Sequence, residues 1–212
     1  MKRPPWGTMA SVLGVAAILV YLLLAFGIAP VSERLTLVLA FAIGPAIMAV
    51  MLELYHGLAP THDGRLLRTA TVFLLLGFAM LTTMIVVQQA VFMGREANFF
   101  VETELPAEEV RRYAFMGVNM VQLGLDVTFD IFYCVGLILL GIVLYRSPEG
   151  HKLIGAAGIV LGAGLLAFNV WTFPMPPAEA GLVDLGPATA VWWLVFIVSA
   201  NRRRRTVADE TR

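Results

Sequence analysis

One cysteine, Cys134, stands in 212 residues, so the chain can close no disulfide on itself and offers no thiol pair for redox chemistry. Charge is scarce as well. Asp, Glu, Lys and Arg make up 14% of the residues, against about 25% in soluble domains, while 59% are hydrophobic and mean hydropathy is +0.81. No glycine-rich phosphate loop, dinucleotide fingerprint, His-Glu-x-x-His zinc motif or Ser–His–Asp arrangement occurs. The sequence therefore points to no cofactor and names no reaction. Net charge is zero, but the charges are segregated along the chain. The basic C-terminal run could suggest nucleic acid; beside a membrane span it more simply marks the cytoplasmic side, and no nucleic-acid partner is expected.

What the chain has in quantity is apolar runs of about 19–26 residues separated by short polar segments, the pattern of membrane helices. Spans are expected at about 10–28, 35–55, 70–92, 117–145, 153–171 and 182–200, with a basic cytoplasmic tail over 201–212. The fold class expected is all-α: a polytopic membrane protein with six transmembrane helices in one bundle, and the lipid bilayer as its first partner. The first run also has the basic start and apolar middle of a cleaved signal peptide. It exceeds the usual apolar core of about 7–15 residues, and Pro30 follows the best cut after Ala29, so it is read as retained. Gly44-Pro45 should kink the second span. Pro106-Ala-Glu-Glu is a helix start, with proline in the first turn and acids at the positive dipole end. It leads either unbroken into the fourth span or into a short amphipathic helix between spans 3 and 4, over residues 106–116.

The last span is ambiguous. From Pro187 to Ala200 there are 14 residues, about 21 Å of helix, too short for a hydrocarbon core of about 30 Å. Either the helix starts near Gly181 and bends at Pro187, or residues 182–186 are non-helical backbone buried against protein, which would put Asp184 in the mouth of the bundle. The glycines of span five, Gly158, Gly162 and Gly164, suit close helix packing. Trp6, Tyr55, Tyr145 and Trp171 fall where an aromatic belt is expected, whereas Trp192 and Trp193 lie deeper and pack.

Of the 15 basic residues, 11 fall on the side of both termini: Lys2, Arg3, Arg65, Arg68, Arg146, Lys152, Arg202, Arg203, Arg204, Arg205 and Arg212. The positive-inside rule then sets both termini in the cytoplasm, in the cell membrane.

Two constellations could carry chemistry. Residues 119–145 form one apolar span that holds two aspartates, and at about 100° per residue Asn119, Gln122, Asp126, Asp130 and Tyr133 share a face. A carboxylate mid-span costs about 2.5–3.5 kcal/mol on insertion scales, so this stripe must face protein or water. Gln88, Gln89, Asn169 and Asp184 fall at similar depth on other spans. Together they could line a cavity open to the outside, suited to a proton, a cation or a polar small ligand; two carboxylates four residues apart repel if both ionise. The plain alternative is a set of interhelical hydrogen bonds worth about 0.6 kcal/mol each. The second constellation is cytoplasmic. Glu53-x-x-His56 has the spacing of carboxylate-bridged metal sites, and His62 and His151 lie on the same side. More ligands would be needed, and pairing of these interfacial residues with Arg65 or Arg68 is the better account.

Three functions remain open from sequence: an accessory, sensing or scaffolding membrane protein with an outward-facing polar pocket around Asp126 and Asp130; a small proton- or cation-coupled transporter using those aspartates; and an intramembrane enzyme acting on a lipid-like substrate. A homo-oligomer or a partner membrane protein fits the first.

Overall fold

A computed structural model describes residues 12, 14–19, 33–60, 64–96, 107–147 and 151–210. Most of the first expected span, the cleavage question at Ala29, His62 and the residue pair 211–212 lie outside these. Among the described residues the chain is all-helical, with no strand. Five helices follow the short helical stretch 14–19: α1 (Glu33–Leu58), α2 (Gly64–Glu96), α3 (Ala107–Arg146), α4 (Lys152–Thr172) and α5 (Gly186–Glu210). Four of them, α1 to α4, are long and apolar enough to cross a membrane. The apolar part of α5, Gly186–Ala200, is shorter. Spans expected at 35–55, 70–92, 117–145 and 153–171 each fall inside one of the four long helices.

At 40 residues, α3 is about 60 Å long, twice a hydrocarbon core. Residues 107–116 are its first turns rather than a separate amphipathic helix, and Glu108 and Glu109 sit at its positive dipole end. α1 continues as helix through Pro45. Threonines within the apolar α2 satisfy themselves locally: Thr71 and Thr82 donate to the carbonyls of Leu67 and Phe78 at 2.9 and 2.8 Å.

α3 is central and packs against both α2 and α4. Close contact depends on residues without a Cβ. A Cβ on Gly77 of α2 would lie 3.0 Å from the backbone nitrogen of Tyr133, and one on Gly136 of α3 would lie 2.7 Å from Leu74 Cγ. Across the α3–α4 contact, a Cβ on Gly155 would lie 2.6 Å from the carbonyl oxygen of Gly141. Gly155, Gly158 and Gly162 are all buried. The small-residue face of α4 is thus spent inside the protein, and its exposed side carries Leu153, Val160 and Val170.

The connection from α4 to α5 resolves the ambiguity of the last span. Helix begins only at Gly186, so residues 182–185 are non-helical, and the expected start at 182 moves four residues. Leu185 Cδ1 comes within 3.1 Å of where a Cβ on Gly164 would be, eight residues before α4 ends, which is on the order of 10 Å below that end. Seven residues on, Trp192 meets Gly158 and its Nε1–H donates to the Ile154 carbonyl at 2.8 Å. α5 therefore runs antiparallel beside the lower two-thirds of α4, and the connection turns back into the bundle above it. Gly181, at φ +80°, makes the turn that an L side chain would strain. Leu185 is half-buried against the core, whereas Leu182, Val183 and Asp184 are exposed, so the segment is covered only in part.

Candidate functional site

A cavity of about 230 Å³ lies between this connection and the helices below it. Its loop end is formed by Pro176, Pro177, Ala178 and Asp184. Asp126, Phe129, Asp130 and Tyr133 of α3 form one wall, with Leu165 and Asn169 of α4 beside them. Thr189, Ala190, Trp193 and Ile197 of α5 face them, and Phe78 and Leu81 come from α2. The floor is Ile43, Ile47, Val50 and Met51 of α1 with Gly14 and Ile18.

The α3 wall follows from helical geometry. Steps of three and four residues from Asp126 reach Phe129, Asp130 and Tyr133, which puts two carboxyls and two rings on one face. Asp130 is 5% exposed and makes no hydrogen bond or ion pair with any described residue. Asp126 is half-buried one turn nearer the mouth. Asp184 sits at the mouth, exposed, where one carboxyl oxygen accepts the N–H of Gly186 at 2.8 Å and fixes the first turn of α5. Buried Asn169 donates to the Leu165 carbonyl at 3.0 Å, and buried Thr189 donates to the Gly186 carbonyl at 2.8 Å. Trp193 Nε1–H donates to Tyr133 Oη at 3.0 Å, tying α5 to α3 below the carboxyls.

Of the residues named from sequence, the cavity brings together Asp126, Asp130, Asn169 and Asp184. Gln88 and Gln89 are half-buried near the far end of α2 and do not line it, nor does half-buried Gln122 or exposed Asn119. The reason is depth. Gln122 lies about 6 Å and Asn119 about 10 Å along α3 from Asp126, past the point where α4 gives way to the connection. Sequence reading missed Phe129, Thr189 and the cavity role of Trp193. The signal for the first was present, since Asp-x-x-Phe-Asp-x-x-Tyr repeats acid and ring along one face.

The second set, expected from sequence on the cytoplasmic side, does not converge in the same way. Glu53 is half-buried, and exposed His56 donates from Nδ1 to the Leu52 carbonyl at 2.7 Å. His151 is buried at the N-terminus of α4, and His62 lies outside the described residues. Among the described residues no three His, Cys, Asp or Glu side chains are grouped to hold a metal ion.

No family model matches the chain, and no curated protein or solved structure shows significant similarity to it. The functional reading rests on the cavity alone.

Proposed function

We propose that this is a six-span protein of the cell membrane, both termini cytoplasmic, that binds a small solute from the outside in the cavity around Asp126 and Asp130, in a sensing or accessory role. The observation that carries this reading is a cavity lined by three aspartates, in which, among the described lining residues, no lysine, arginine or histidine answers them. A purely structural polar cluster would be expected to satisfy itself, because buried polar groups are ordinarily hydrogen-bonded; Asp130 is not. A pure scaffold has less support. The small-residue face of α4 that would dock a partner helix is occupied by α3 and α5. An intramembrane enzyme also has less support: the described lining holds no serine, cysteine or histidine, and the Thr189 hydroxyl donates to the Gly186 carbonyl rather than to a carboxylate base.

One observation favours a carrier as the second reading. The floor residues Val50 and Met51 are within one helical turn of Glu53, so the cavity reaches toward the opposite side of the bundle, where Leu54 and Leu58 are buried below it.

Thiol labelling tests the reading directly, because the single native cysteine, Cys134, is 0% exposed. Ala178→Cys, at the exposed loop end, is expected to react with a membrane-impermeant maleimide in spheroplasts and not in inverted vesicles. Reaction only in inverted vesicles would overturn the outward-facing site. A carrier requires in addition that Val50→Cys react from the inner side; a sensor leaves it protected on both.

A further inference from the structure

The walls of the cavity carry more information than its carboxyls. Phe129 and Tyr133 are stacked, with ring centroids 5.1 Å apart and planes inclined by 25°, and Phe78 meets Tyr133 edge-on at 5.7 Å. Trp193 is held by its hydrogen bond to Tyr133, and the residue is 4% exposed. These rings are fixed by packing before any ligand arrives, so little ordering would remain for binding to do. Beside them Asp130 is 5% exposed, lines the cavity, and has no hydrogen-bond or ion-pair partner among the described residues. A buried carboxyl of this kind leaves room for a positive or hydrogen-bond-donating group that the protein does not supply.

We propose that the cavity takes a small organic ammonium ion, its nitrogen set against the Asp130 carboxyl and its apolar body against Phe129, Tyr133 and Trp193. This rests on the outward-facing binding site argued above and names what that site holds. Each competing class of ligand meets an obstacle. An anion would face Asp126, Asp130 and Asp184 together. A neutral apolar solute would fill the aliphatic floor but leave Asp130 unanswered. A bare metal ion needs several oxygens at one point, about six to eight for calcium, and no such group forms among the described residues. An ammonium ion uses both kinds of wall: N–H donors or charge toward the carboxyls, and attraction to ring faces of about 0.5–2 kcal/mol each, largest where water is excluded. The volume of about 230 Å³ is below the roughly 300–1,000 Å³ of drug-sized sites. That limits the body to a single ring or a short chain.

The test is calorimetric titration of the purified full-length protein in detergent with methylammonium, butylammonium and benzylammonium, and with benzyl alcohol and sodium as controls. Benzylammonium or butylammonium is expected to bind saturably, with benzyl alcohol and sodium weaker by about tenfold or more. Asp130→Asn should weaken the ammonium by about tenfold or more, since removal of one partner of a buried charge pair costs that much or above. Asp126→Asn, half-buried nearer the mouth, serves as a second variant if the first fails to fold, and should weaken binding in the same direction. Equal affinity for benzyl alcohol, full affinity in both variants, or no saturable binding by any ammonium each overturns the proposal. If no ammonium binds while Ala178→Cys is still labelled from outside, this inference falls and the outward-facing site stands. If Ala178→Cys is labelled only from inside, the binding reading itself falls.

Discussion

Asp130 and Asp126 are the residues on which the account turns, and they were legible because a carboxyl in an apolar span is costly and rarely without a role. Their ring neighbours were less legible. Trp193 read as packing, and it does pack, but its Nε1–H also reaches Tyr133 Oη at 3.0 Å across 60 residues of sequence. That bond joins the carboxyl-bearing helix to the last one, between two side chains that are each 4% exposed. Trp193→Phe and Tyr133→Phe each leave the other buried polar group unsatisfied and should each destabilise the protein by about 1–3 kcal/mol. The double variant should cost less than the two added together, because the second change removes a partner already lost. Chemical denaturation of the four proteins of the cycle checks this; strict additivity would show that the bond contributes nothing. Gln88, Gln89, Asn119 and Gln122 mark the limit of residue-level reading. Composition gave them a membrane-edge depth, but depth along a helix does not say where its neighbours end.

At the scale of elements, hydrophobic runs located the four long helices because a helix that must satisfy its own backbone in lipid needs a continuous apolar stretch. How those helices approach one another was visible only in outline. Glycine content suggested close packing of the fifth expected span, and the contact of Gly155 with Gly141 realises it at backbone distance. Gly155→Val should therefore force the helices apart, at about 1–3 kcal/mol or more. Ala157→Val, two residues on at an exposed position of the same helix, should change stability by no more than about 0.5 kcal/mol. Thermal unfolding in one detergent compares them, and equal losses would contradict the packing described. The α4–α5 connection was the hardest element to foresee. The fourteen residues from Pro187 to Ala200 are too few to span, and that shortfall alone signalled irregular backbone at depth. Its solution, a partly covered turn that ends on the Asp184–Gly186 hydrogen bond, depends on Leu185 finding Gly164 on another helix, which no local pattern encodes.

For the whole molecule, a membrane-embedded all-helical chain follows from four long apolar helices, and the proposal of cytoplasmic termini rests on the charge asymmetry of the sequence. The cavity belongs to this scale too. It is bounded by every described helix and by the returning connection, so no single segment displays it. Asp130 links the scales: it is a buried group with no described protein partner in a space that the entire bundle encloses. If that carboxyl is kept for a ligand, the fold gains nothing from it, and an amide of the same shape should serve the fold as well. If it is instead a structural tie, the amide should weaken the fold, since loss of a buried polar partner costs about 1–3 kcal/mol. The deciding measurement is the thermal unfolding temperature of purified wild type, Asp126→Asn and Asp130→Asn at neutral pH without added ligand. The account predicts that both variants unfold at the wild-type temperature or above it. Clear destabilisation of both would contradict it and make the carboxyls part of the scaffold.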